Sequence, residues 1–107
     1  MLSLKDYLRG LRTYEVLEPP QVLADVQGRI EALETQAQRR NAAESLARLR
    51  RCLGDLDLSG LGWPPQAAGD GADLLHADTQ RQLSAVLRVD HGRRTVHILR
   101  YVLKVRP

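Results

Sequence analysis

Leu83-Ser84-Ala85-Val86-Leu87-Arg88-Val89-Asp90-His91-Gly92-Arg93-Arg94-Thr95-Val96-His97-Ile98-Leu99-Arg100-Tyr101-Val102-Leu103-Lys104-Val105 is the stretch that decides the fold. Both halves are rich in β-branched and other apolar residues and alternate them with polar ones, which is the pattern of a β-hairpin. A two-residue turn at His91-Gly92 is expected, with Gly92 supplying a positive φ. In that register Asp90 faces Arg93, Leu87 faces Val96 and Ala85 faces Ile98. Leu83, Val89 and Val102 complete one apolar face, while Arg88, Thr95, His97, Leu99 and Tyr101 fall on a mixed face. A slip by one residue would oppose Arg88 to Arg94 and scramble both faces, so it is disfavoured. A lone hairpin is marginal in water, so the remaining chain must cover its apolar face.

Upstream of the hairpin the pattern turns helical. Ser3 is placed to cap a first helix with Asp6 three residues on, and Leu4, Tyr7, Leu8, Leu11 and Tyr14 form its stripe. Lys5, Arg9 and Arg12 flank that stripe, but core packing is favoured over a membrane-surface role. Thr13 to Leu17 reads either as the end of this helix or as a short strand. Glu18-Pro19-Pro20 stops what precedes it and opens a new helix at Pro20. Leu23, Val26, Ile30, Leu33 and Ala37 then recur at helical spacing, and so do Ala42, Leu46, Leu49, Leu53 and Leu56, with a break in phase between the two series. The break fits a helical hairpin turning at Arg39-Arg40-Asn41, with Asn41 capping and Glu44 completing the box, or else one continuous helix with a stutter. Gly54 is expected to end the second series as the residue just past the helix.

Residues 54–72 read as a loop, punctuated by glycines and by Pro64-Pro65, with Trp63 as its anchor. Residues 73–77 read as a third strand that pairs with the hairpin. The expected class is therefore α+β, with N-terminal helices packed on a small C-terminal antiparallel sheet. The whole chain is expected to form one domain: helical over 2–53, loop over 54–72, β over 73–105.

Composition narrows the function. The 107 residues carry 43% hydrophobic and 27% charged side chains, which is ordinary for a globular protein. A single cysteine, Cys52, excludes an intrachain disulfide and fits a cytoplasmic protein. No apolar run is long enough for a membrane span, and no membrane partner is expected. The net charge is only +3, but residues 1–78 sum to −3 and residues 79–107 to +6. Arg81, Arg88, Arg93, Arg94, His97, Arg100, Tyr101 and Lys104 are thus the candidate contacts for a partner or for nucleic acid.

Chemistry is harder to find. Asp55-Leu56-Asp57-Leu58-Ser59-Gly60 matches the start of a calcium loop, but Gln66 stands at its twelfth position and Pro64-Pro65 blocks the exit helix, so a turn is expected instead. The three histidines have no metal-ligand spacing, and neither a metal nor a cofactor is expected. His97, Arg88 and Tyr101 on one basic face would suit metal-free phosphodiester chemistry, with base, clamp and acid. No nucleophile elbow, phosphate-binding glycine loop or zinc-protease motif is present.

Residues 85–100, Ala85-Val86-Leu87-Arg88-Val89-Asp90-His91-Gly92-Arg93-Arg94-Thr95-Val96-His97-Ile98-Leu99-Arg100, resemble the C-terminal strands of the RelE/ParE family of small toxins. The resemblance implies a helical hairpin on an antiparallel sheet, in the order β-α-α-β-β-β if Tyr14 to Leu17 is a strand. The chain departs from the family at Ser84, where ribonuclease members tend to carry an arginine, and in its short tail. No catalytic residue carries over. The expected function is a small non-enzymatic protein-interaction or assembly module, binding a protein partner or a second copy of itself. The alternatives are nucleic-acid binding by the basic hairpin or a degenerate toxin-like ribonuclease.

Overall fold

The structure is a computed structural model that describes residues 3–56, 65–67, 71–77 and 82–104. Its elements run α1 (Leu4–Leu11), β1 (Glu15–Leu17), α2 (Pro20–Glu31), α3 (Gln36–Gly54), β2 (Gln66–Ala67), β3 (Ala72–Ala77), β4 (Leu83–Asp90) and β5 (Thr95–Leu103). The strands form one sheet in the order β1-β5-β4-β3-β2. All neighbours are antiparallel except β1, which joins β5 in parallel. The chain is thus α+β as expected, but the sheet is mixed rather than antiparallel throughout: of the two readings of Thr13 to Leu17 the strand forms, over Glu15–Leu17 and parallel to β5, and a two-residue strand at 66–67, inside the expected loop, extends the sheet.

Helix ends follow local chemistry. The Ser3 hydroxyl accepts the Asp6 amide at 3.2 Å, satisfying one of the orphan donors of α1. Pro20 opens α2, where its fixed φ suits the first turn and its missing N–H costs nothing. The break between α2 and α3 lies at Ala32–Thr35, not at Arg39–Asn41. Thr35 accepts the Gln38 amide at 3.1 Å while Gln38 accepts the Thr35 amide at 3.2 Å, a complete capping box. The Arg39 guanidinium also donates to the Leu33 carbonyl at 2.6 Å, tying the connection to the new helix. Asn41 lies inside α3, so both the later turn and the continuous helix are excluded. Gly54 is the last helical residue, and Leu56, at φ 52°, takes the left-handed position expected of glycine.

The hairpin register is two residues longer at the turn than expected. Asp90 pairs with Thr95, Val89 with Val96, Arg88 with His97 and Leu87 with Ile98. The Asp90 carboxylate accepts the Arg93 amide at 3.1 Å, which widens the turn to His91–Arg94. The left-handed residue is Arg94, at φ 53°, rather than Gly92. A slide of two leaves every side chain on its expected face. The second departure does change a face. The register shifts between Val86 and Leu87, so that Val86 pairs with Arg100 and Leu99 is left over as a bulge. Tyr101 thereby opposes Ala85 and turns into the core, while Val102 turns out of it.

One face of the sheet carries Leu75, Ala77, Leu83, Ala85, Leu87, Val89, Val96, Ile98 and Tyr101. These residues pack in one cluster with Tyr7 and Leu11 of α1, Val26 and Ile30 of α2, and Ala42, Leu46, Leu49 and Leu53 of α3. All three helices therefore cover the same face. Burial of so many aliphatic side chains, each worth about 1.5–3 kcal/mol, is the main stabilising term. The calcium-loop residues from Asp57 on, Trp63, Arg81 and Val105 lie outside the described residues. Among those described, no helix is long and apolar enough to cross a membrane.

Candidate functional site

The face of the sheet away from the helices brings the basic residues together. Arg88 and His97 are paired across β4 and β5, and both are half-buried. His97 is positioned by Thr95, whose hydroxyl lies 3.0 Å from Nε2 on the same face of β5. Asp90, paired with Thr95, turns its carboxylate to the Arg93 amide and fixes the loop that carries Arg93 and Arg94, both exposed. A cleft of about 470 Å³ opens beside this group, lined by Arg88, Asp90, Arg93 and His97 on its polar side and by Pro19, Val22, Ile98 and Leu99 on its apolar side.

The cleft continues along β5. Val22 and Leu99 also line a smaller hollow of about 220 Å³ with Gln21, Asp25 and Arg100. β1 pairs only with Thr95, Val96 and His97, so among the described residues no strand meets Ile98–Leu103 on the side away from β4. Leu99, thrown outward by the bulge, is 42% exposed and is the one exposed large hydrophobic residue among those described. The arrangement is a stretch of β5 edge that no described strand occupies, with α2 beside it and Leu99 as an apolar knob between hollows lined by Arg93 and by Arg100. Such an edge offers main-chain donors and acceptors to an extended segment. No group of side chains that could hold a metal ion exists among the described residues.

Of the expected contacts, Arg88, Arg93, Arg94, His97 and Arg100 occupy this region, and Lys104 follows the end of β5 exposed. Tyr101 does not. It is 3% exposed on the helix-covered face, and its hydroxyl donates to Glu18 Oε2. Arg50 clamps the same carboxylate, Nε to Oε2 at 3.0 Å and Nη2 to Oε1 at 2.8 Å. Burial and the hydrogen bond to Glu18 push the Tyr101 phenol well above its ordinary value. Burial alone would raise the Glu18 carboxyl, but the hydrogen bonds from Arg50 and Tyr101 hold it below its ordinary value. The trio joins the start of α2, α3 and β5, and the grouping of Tyr101 with Arg88 and His97 is overturned by the bulge.

A second polar cluster was not legible in the sequence. His91 Nε2 lies 2.7 Å from Asp73 Oδ2, and its Nδ1 lies 2.8 Å from the Tyr14 hydroxyl. The Tyr7 hydroxyl donates to the same Asp73 oxygen at 3.1 Å. Both tyrosine rings meet the imidazole edge-on, with centroids 5.9 Å away for Tyr7 and 5.7 Å for Tyr14. Burial and the Asp73 carboxylate push the Tyr7 phenol well above its ordinary value. The cluster pins α1 and the entry to β1 onto β3 and the hairpin turn.

No protein-family model matches the chain, and no curated protein matches its sequence. A chain in the crystal structure of the archaeal RelE-RelB complex from Pyrococcus horikoshii OT3 shares its fold. The TM-score is 0.54 at 17% sequence identity, over 89% of this chain and 99% of that one. The resemblance read from the hairpin thus extends to the architecture of nearly the whole chain.

Proposed function

We propose that this chain works by binding a protein partner, and that it receives an extended acidic segment along the edge of β5 that no described strand occupies. The observation that carries the reading is the edge itself: among the described residues Ile98–Leu103 has no strand on one side, and Leu99 lies between the hollows that Arg93 and Arg100 line. Its fold is that of a chain found in a two-protein complex, which supports the same reading. Strand addition would give affinity through the main chain, and the knob and arginines would give register and sign.

Synthetic peptides that alternate leucine with glutamate, and the same peptides with lysine in place of glutamate, test this by titration calorimetry at two salt concentrations. The acidic peptide should bind and weaken with salt, the basic one should not bind, and Leu99→Glu should weaken binding by about tenfold or more, equivalent to about 1.4 kcal/mol. Equal binding of both peptides, or of neither, would refute it. Light scattering on the protein alone reports whether a second copy fills the edge instead.

One observation favours a second reading. Arg88 and His97 stand side by side on the face away from the helices, half-buried, with exposed Arg93 nearby, a geometry suited to a phosphate backbone. Fluorescence anisotropy with a mixed-sequence RNA separates the two: steeply salt-dependent binding lost in Arg93→Ala/Arg94→Ala favours RNA. RNA cleavage that disappears in His97→Ala would make the protein a ribonuclease, and intact RNA after long incubation would exclude that.

A further inference from the structure

We propose that Tyr14 is a nucleophile activated by His91 and Asp73, able to take a phosphoryl group from an activated phosphate ester. This chemistry does not depend on partner binding at β5 and rests on the order of the three groups. An ionised carboxylate only accepts hydrogen bonds, so the 2.7 Å contact places the imidazole hydrogen on Nε2. In the neutral ring Nδ1 is then the free base, and the Tyr14 hydroxyl at 2.8 Å donates to it. Nucleophile, base and orienting carboxylate thus stand in line, each within hydrogen-bond reach of the next, which is the arrangement that marks an activated hydroxyl on any fold.

The surroundings suit the role. Tyr7 donates to Asp73 Oδ2 and holds the carboxylate in place, so Asp73 and Tyr7 are positioning residues. The Tyr7 ring packs edge-on against the imidazole and limits its rotation. Tyr7 is 7% exposed, whereas Tyr14 is half-buried and His91 is exposed, so the series runs from the core to the surface. The Glu15 amide donates to the Arg94 carbonyl at 3.0 Å, which sets Tyr14 beside the turn that carries the exposed cations Arg93 and Arg94. Those charges favour an anionic ester over a neutral one.

In the step, the Tyr14 oxygen forms a bond to phosphorus as the bond from phosphorus to the leaving oxygen breaks. The phenol proton passes to His91 Nδ1, Asp73 stabilises the imidazolium, and the leaving group departs with the electron pair. The imidazolium then returns its proton to solvent.

Bis(4-nitrophenyl) phosphate is the probe, incubated with the full chain at neutral pH. The expected result is release of nitrophenolate with a matching mass gain on the peptide that contains Tyr14. His91→Gln should slow labelling by about 100-fold or more, the usual share of a general base. Asp73→Asn should do likewise in a protein with unchanged circular dichroism, because the amide can donate to Nε2 and drive the hydrogen onto Nδ1. Tyr14→Phe keeps the ring packing and should abolish the adduct, so the proposal stays testable if a His91 variant does not fold. Absence of an adduct on Tyr14 in the unaltered protein, or equal labelling rates with and without His91, would overturn it.

Discussion

Replacing Tyr101 by Phe removes one oxygen and leaves the ring, and this isolates the tether between β5, α2 and α3. The hydroxyl donates to a carboxylate whose side chain is only 18% exposed. A hydrogen bond to a charged group contributes roughly 1.5–3 kcal/mol. The Arg50 side chain is 45% exposed and keeps its two bonds to Glu18 in the variant, so solvent and the surviving partner both discount the loss. The expected cost is about 1–2 kcal/mol at neutral pH, or roughly 4–8 °C in midpoint per kcal/mol for a domain of about this size. The sign with pH follows from Glu18. Its folded carboxyl titrates below the ordinary value, so the stabilisation is present above the carboxyl's unfolded value and is lost as pH falls through the folded one. Urea unfolding followed by far-ultraviolet circular dichroism, at pH 7 and then stepwise into the acid range, measures both. The gap between the two proteins should narrow as the pH drops. A gap near zero at pH 7, or one that stays constant into acid, would refute the assignment of Tyr101 to Glu18.

Three further outcomes are expected. Leu87→Ala empties a fully buried position in the central strand and should cost about 2–5 kcal/mol by the same urea assay, because the three covering helices cannot all collapse into the gap. Thr35→Ala breaks the capping box and should cost about 1 kcal/mol, with faster amide exchange confined to the first turn of α3. Arg94→Gly relieves a left-handed backbone and should gain about 0.5–1 kcal/mol in thermal unfolding, a net figure after the added chain entropy of glycine.

Much of the architecture was legible because it rests on local rules. Pro19-Pro20 can open a helix in only one direction, and the leucine spacing in residues 42–56 admits one buried stripe. Arg88 and His97 share a face in the sequence pattern and in the structure alike, since a two-residue slide at the turn conserves parity. The break between the helices was misplaced because Thr35 with Gln38 and Asn41 with Glu44 offer equivalent boxes, and only burial of Leu33 and its carbonyl bond to Arg39 decide between them. Alternation places Tyr101 on the outer face because it carries no mark where a strand gains a residue. The cluster of Tyr7, Asp73, His91 and Tyr14 had no local signal at all: its hydrogen bonds span 66, 18 and 77 positions.

The bulge also bears on how this surface can be inherited. Ile98 points into the core, and so does Tyr101; Arg100 points out. Loss of the single codon for Leu99 would leave these three in perfect alternation and every cross-strand pair on either side intact. The apolar knob on the open edge is thus a one-codon trait, gained or shed without re-registering the strand.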